Sequence, residues 1–287
     1  MATIDLLGVP HTYELTAPTG SPLVLVFVHG WLLSRHYWLP LVQQLCDRHQ
    51  CLTYDLRGFG DSDQILPCGE ERYTPAAYAQ DLELLLQRLD ISSVWLVGHS
   101  LGGTIALWTA DRLREKVRGV VCLNAGGGIY LHEEFERFRT AGQQILKFRP
   151  AWLEIVPLLE QFFCRSNVYQ PLALEWGKQR IKDFICAHSE AALGTLLAST
   201  TAAEVHLLPQ LVARLPQPVY FMAGQNDRIM EPKYVRHLAS FHPLFETEES
   251  NVIELEDCGH LSLLEQPDRV ASHLCEILQH HCSTLQG

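Results

Sequence analysis

A serine between two glycines, Gly98-His99-Ser100-Leu101-Gly102, is the clearest place in this 287-residue chain where residue types and spacing could make a nucleophile. A serine hydroxyl is weak by itself: it needs a base to take its proton and a third group to orient that base. The expected base is His260, in Asp257-Cys258-Gly259-His260. Among the chain's 14 histidines it alone follows the final β-prone run in a glycine-containing loop. The expected acid is Asp227, reached from Val219–Met222 through Ala223-Gly224-Gln225-Asn226. Such an acid fixes the imidazole tautomer and stabilises the imidazolium. Asp257 is a rival, but only three residues before His260 it is better suited to shaping the loop. An acid directly after Leu123 is another workable arrangement, and the chain has Asn124 there. The order Ser100, Asp227, His260 is that of a serine presented at a strand-to-helix turn.

The elements that must hold these groups can be read from hydrophobic spacing. Leu23–Val28 is a continuous apolar run, as for a strand buried on both faces of a parallel sheet. Shorter runs at Cys51–Tyr54, Val94–Val97, Val120–Leu123, Val219–Met222 and Val252–Leu255 predict further strands, and Ile4–Leu15 predicts a hairpin around Gly8-Val9-Pro10. Helical spacing occupies Trp38–Cys46, Tyr78–Leu89, Leu101–Leu113 and Pro267–His281. Strand–helix alternation predicts an α/β fold with a mostly parallel central sheet. The alternation stops from about Gly126 to Leu215, where the pattern is helical throughout. The expected organisation is therefore a core made of residues 1–125 and 216–287, with residues 126–215 inserted as a helical lid.

On this scheme Ser100 sits at the start of a helix, where backbone N–H groups favour developing negative charge. The oxyanion is expected to be held by two main-chain N–H groups, from Leu101 after the nucleophile and from Trp31 in the loop His29-Gly30-Trp31. Residues 131–185 carry nine aromatic side chains. A small lid must bury one apolar stripe for packing alone, yet it also roofs the expected apolar pocket. The pocket residues expected are Trp31, His99, Phe138, Trp152, Phe162 and Leu261. The lid cations, including Arg149 and Arg180, are expected on solvated faces.

Composition narrows the function class. The net charge is −11 and no stretch clusters lysine and arginine, which argues against a nucleic-acid footprint. Nine cysteines, an odd number without metal-like CxxC spacing, read as reduced thiols in a cytoplasmic setting. The N-terminus lacks the basic segment of a signal peptide, and no apolar run approaches membrane-spanning length. No metal, no organic cofactor and no nucleic-acid partner is expected. Peripheral membrane contact through the lid is the one membrane arrangement the pattern allows.

The pieces His29-Gly30-Trp31 with Trp38, Asp55-Leu56-Arg57-Gly58-Phe59-Gly60-Asp61-Ser62, Gly98–Gly103, Gly224–Asp227 and Cys258-Gly259-His260 with Glu265-Gln266-Pro267 span nearly the whole chain. Together they resemble the α/β-hydrolase superfamily, and the first resembles its esterase and cofactor-free haloperoxidase branch. The resemblance implies that Asp55, Arg57 and Asp61 are framework residues. Haloalkane dehalogenases and epoxide hydrolases are similar but use aspartate where this chain has Ser100. The menaquinone-pathway synthase of this fold is similar too, with tyrosine before the serine and arginine after the paired glycines. Here those positions are His99 and Thr104. A narrower resemblance is to cyanobacterial and plastid hydrolases of chlorophyll-type phytyl esters. With the apolar lid, these readings point to a serine hydrolase that cleaves a carboxylic ester of a hydrophobic substrate through an acyl-enzyme, a long-chain or phytyl-type ester such as chlorophyll being one candidate. The alternatives are a lyase or perhydrolase on the same triad, and a ligand receptor with vestigial activity.

Overall fold

The computed structural model describes residues 1–62, 70–127, 132–247 and 250–283. Its strands are β1 (Ala2–Leu6), β2 (Val9–Leu15), β3 (Val24–Val28), β4 (Gln50–Tyr54), β5 (Val94–His99), β6 (Val117–Leu123), β7 (Val219–Gly224) and β8 (Val252–Leu255). They form one sheet in the order β1-β2-β4-β3-β5-β6-β7-β8. The hairpin β1–β2 is antiparallel and adds to β4 antiparallel, while every pairing from β4 to β8 is parallel. The hairpin turns at Leu7-Gly8, both at positive φ, one position earlier than the sequence pattern suggests.

Helices cover both faces: α1 (Leu39–Leu45), α2 (Pro75–Arg88), α3 (Leu101–Arg112), α4 (His132–Leu146), α5 (Leu159–Arg165), α6 (Leu174–Cys186), α7 (Ser189–Ser199), α8 (Ala202–Arg214), α9 (Pro232–Ala239), α10 (Ser262–Glu265) and α11 (Pro267–Ser283). The pleat explains the continuous apolar runs. In β3, Val24, Val26 and Val28 join the core beneath α2 and α3, whereas Leu25 and Phe27 face α1 and α11. A strand sandwiched this way has no polar face to show.

Chain direction across the sheet sets the site. From β3 the chain adds β4 on one side, then crosses to add β5 on the other. A crevice opens outside the carboxyl ends of strands where the order reverses in this way.

Between β6 and β7 the described residues hold helices α4 to α8 and no strand. Helices α7 and α8 close the insertion expected over residues 126–215. Leu208, Leu211 and Val212 of α8 are fully buried in the same core as Ile105 of α3. Ala191 and Ala192 of α7 are buried in that same core, so both helices seat the insertion on the helical layer of α2 and α3. Amphipathic spacing identifies a buried stripe without telling what buries it. Two cations expected in solvent instead tie this cap together. Arg149 donates to the carbonyls of Phe184 and Ala187 at 3.0 and 2.9 Å. Arg180 donates to the carbonyls of Ser166, at 2.7 Å, and Phe163. Each satisfies carbonyls that end a helix or follow one.

The loop after β4 is fixed by a buried cluster. Arg35 donates to Asp55, Asp61 and Glu14, and Arg57 pairs with Asp81 at 3.0 Å. This agrees with a framework role for Asp55, Arg57 and Asp61, with Arg35 as the hub that the motif alone did not reveal.

Candidate active site

Ser100 stands between β5 and α3 with φ 53° and ψ −119°, a region that L residues rarely occupy. The turn is this tight because the flanking backbone allows nothing larger than glycine. A Cβ on Gly98 would lie 2.2 Å from the Gly102 carbonyl oxygen, and one on Gly102 would lie 2.0 Å from that of Val28. The first turn of α3 can therefore press against both β5 and the end of β3, which lifts Ser100 above the sheet.

His260 Nε2 lies 3.2 Å from Ser100 Oγ, and its Nδ1 lies 2.7 Å from Asp227 Oδ2. With Nδ1–H donating to the carboxylate, the Nε2 lone pair faces the serine hydroxyl. This is the arrangement in which imidazole can accept a proton from Oγ. The three groups come from loops after β5, β7 and β8, and the structure brings them into one row. Asp227 is 3% exposed. Its Oδ1 accepts from the backbone N–H of Ile229 and Met230 at 2.8 and 2.9 Å, and its Oδ2 also accepts from Asn124 Nδ2 at 2.9 Å. Burial pushes its pKa up, but the adjacent His260 and these hydrogen bonds outweigh that, leaving the carboxyl below the ordinary range.

Asn124 is a residue whose part the sequence did not disclose. It is fully buried, with φ 50°. Besides Asp227 it donates to the Gly259 carbonyl at 3.0 Å, and its Oδ1 accepts from Ser262 Oγ at 2.5 Å. Where an acid was conceivable, the chain instead has an amide that steadies both the acid and the base loop. A contact between residues more than 100 positions apart leaves no local spacing signal.

A cavity of about 90 Å³ opens over Ser100. Its lining comes from the carboxyl ends of four strands and from the cap. Trp31 follows β3, Ser100 and Leu101 follow β5, Ala125 to Gly127 follow β6, and Ile229 and Met230 follow β7. Phe138 of α4 and Leu196, Ser199 and Thr200 at the end of α7 form the roof. Among the described residues, no charged side chain lines it. Trp31 also donates its indole N–H to the Ala192 carbonyl of α7 at 2.9 Å, joining core loop to cap.

Of the pocket residues expected from sequence, Trp31 and Phe138 line this cavity and four do not. Trp152 and Phe162 are 53% and 66% exposed, packed edge-to-face against Phe148 and Phe163 on the outer side of the cap. Leu261 is buried in the core that faces α1 and α11. His99 lies beneath the site, donating from Nε2 to the His260 carbonyl at 2.7 Å. Burial, reinforced by the neighbouring His260, lowers the His99 pKa to about 3, so this ring stays neutral. The expected oxyanion donors, the amides of Leu101 and Trp31, belong to residues that flank the cavity beside Ser100. No group of three or more His, Cys, Asp or Glu side chains among the described residues is arranged to hold a metal ion.

The family model of the alpha/beta hydrolase fold matches residues 24–267. A pimeloyl-[acyl-carrier protein] methyl ester esterase from Pseudoalteromonas atlantica is 28% identical over 242 residues, covering 81% of this chain and 88% of that one. A 2-succinyl-6-hydroxy-2,4-cyclohexadiene-1-carboxylate synthase from Yersinia pseudotuberculosis is 31% identical over 207 residues, covering 71% of this chain and 72% of that one. Two further curated relatives, matched at 33% and 35% identity, are spanned over only 51% and 36% of their length. Among solved structures, a thermophilic esterase from Thermogutta terrifontis with malate bound superposes with a TM-score of 0.75 at 25% identity, covering 97% of each chain.

Proposed function

This chain belongs to the α/β-hydrolase family, and we propose that it hydrolyses a carboxylic ester whose acyl group is neutral, apolar and short. The observation that carries this reading is the row Ser100 Oγ, His260 Nε2, His260 Nδ1 and Asp227 Oδ2 at the floor of an uncharged cavity. In the reaction, His260 accepts the hydroxyl proton as Ser100 Oγ attacks the ester carbonyl. The backbone N–H groups of Leu101 and Trp31 hold the resulting oxyanion, each contributing about 2.7–4 kcal/mol to the barrier reduction. His260 then gives its proton to the leaving alcohol, and the same base activates the water that releases the acid.

The length of the acyl group follows from room. Ligand pockets commonly hold roughly 300–1,000 Å³, and the cavity here is about 90 Å³. A cavity of that size supports a short acyl group, and the long-chain or phytyl-type ester expected from the sequence is the alternative that the same ester series tests. The similarity to the synthase favours a second reading, a lyase that uses the same triad. A substrate bearing carboxylates would require cationic side chains, and the described lining has none. Thr104 lines the cavity at the position where the synthases resembled above have arginine.

The test is a series of p-nitrophenyl esters from acetate to palmitate, with the acid and alcohol products quantified. The reading predicts equal amounts of both products, and a kcat/KM that falls beyond the short chains. Optimal turnover of palmitate would overturn the length assignment, and failure to release p-nitrophenol from any member of the series would favour the lyase.

A further inference from the structure

The segment between α5 and α6, Ser166 to Ala173, crosses directly over the base loop and is bonded to it. The His260 backbone N–H donates to the Asn167 carbonyl at 2.9 Å. Glu265, at the end of α10, accepts from both partners. Its carboxylate takes the N–H of Gly259 at 3.0 Å and Leu261 at 3.2 Å from the base loop, and that of Tyr169 at 2.7 Å from the crossing segment. The approach is so close that a Cβ on Gly259 would lie 2.7 Å from Tyr169 N and Val168 Cα. The far side of the segment is anchored to the cap, where the Ser166 carbonyl accepts from Arg180 and the Leu172 N–H donates to the Cys164 carbonyl.

We infer that Glu265 is a positioning residue for the reaction proposed above: by gathering amides of the cap crossing and the base loop onto one carboxylate, it makes the alignment of His260 depend on the seating of the cap. The inference rests on that reaction. The chemistry of the acceptor explains why the position needs a carboxylate. An ionised carboxylate offers about four lone-pair sites and no donor, so it can satisfy several N–H groups that converge from two segments. An amide of the same shape has one acceptor oxygen and would aim its own N–H groups at the backbone donors. Glu265 touches neither Ser100 nor the cavity lining, so its influence on catalysis passes through the backbone of residues 259–261. With the crossing displaced, the His260 amide loses its partner, and the alignment of the ring rests only on Asp227 and on the bonds of the base loop to Asn124 and His99.

The experiment compares wild type with Glu265→Gln, Glu265→Asp and Gly259→Ala. It measures ester turnover, the rate at which a fluorophosphonate labels Ser100, and amide exchange. In the labelling, Oγ attacks phosphorus, fluoride leaves and His260 takes the hydroxyl proton, so the rate reports the base directly. A misplacement of about 1 Å costs on the order of 100-fold. Glu265→Gln is therefore expected to lower kcat and the labelling rate by about that factor while KM stays near wild type. Exchange of the His260 and Tyr169 amides should rise together, and Glu265→Asp should recover part of the loss. Gly259→Ala leaves the carboxylate intact and forces the base loop and the crossing apart, so it should reproduce the fall even if Glu265→Gln does not fold. Wild-type kcat and labelling in either folded variant, or faster exchange at Tyr169 alone, would overturn the inference. If wild type hydrolyses no ester, the proposed reaction fails, while labelling and exchange still decide the role of Glu265.

Discussion

At the scale of single residues, the site works through the direction in which each hydrogen bond points. Asp227 accepts from His260 Nδ1, from two backbone amides and from Asn124. Replacing it with asparagine leaves an oxygen for the amides but turns donors toward imidazole, which favours the wrong tautomer. For Asp227→Asn, kcat should fall by about 10⁴-fold, with the Tm moving far less than the rate. Equal turnover by this variant would remove Asp227 from the mechanism. Phe138 and Leu196 limit the cavity above Ser100. Phe138→Ala should shift the optimum of a p-nitrophenyl ester series toward longer chains. The serine, acid and base were legible because each lies in a short loop directly after a strand. Trp152 and Phe162 were misplaced because helical spacing does not distinguish an aromatic that faces a cavity from one that faces out. Asn124 and Glu265 were missed as working groups because their partners lie far away in the chain.

At the scale of elements, the close seating of α3 on the ends of β3 and β5 raises the nucleophile. Gly102→Ala tests this. Its methyl group would collide with the Val28 carbonyl oxygen, a backbone atom that cannot swing aside. The variant should lose about 1–3 kcal/mol in urea unfolding, and activity should fall as Ser100 shifts. Unchanged stability would mean that the elbow is looser than drawn. Strand positions and the parallel order were readable from the apolar runs, since a strand covered on both faces admits few polar residues. What the helices of the insertion pack against was not. Helical spacing marks the buried stripe of α8, but only the structure shows that it and α7 both pack into the core beside α2 and α3. Among the described residues no single helix is long and apolar enough to cross a membrane.

At the scale of the whole molecule, the cap is tied to the core by bonds that span the two. Besides Trp31 and Glu265, Asp183 of α6 accepts from Ser34 Oγ, in the loop after β3, at 3.0 Å, and from Gln179 at 3.0 Å. Burial raises the Asp183 pKa to about 7, against the lowering effect of the Gln179 and Ser34 hydrogen bonds. Between the unfolded value near 3.9 and about 7, the folded protein holds a proton that the unfolded chain lacks. The stability this contributes is complete below the lower value and is lost as pH rises through the upper one. Wild-type Tm should decline between pH 5 and pH 8, and Asp183→Asn should flatten that decline. An identical decline in the variant would exclude Asp183 as its source.

The central claim is that Ser100 is the nucleophile of an ester hydrolase. Its most direct measurement is p-nitrophenyl acetate and butyrate hydrolysis by wild type and Ser100→Ala, with the mass of the wild-type protein followed during turnover. The account predicts steady turnover with a transient acyl adduct on Ser100, both absent in a Ser100→Ala protein of unchanged fold. Turnover that survives in Ser100→Ala, or an acyl adduct on another residue, would contradict it.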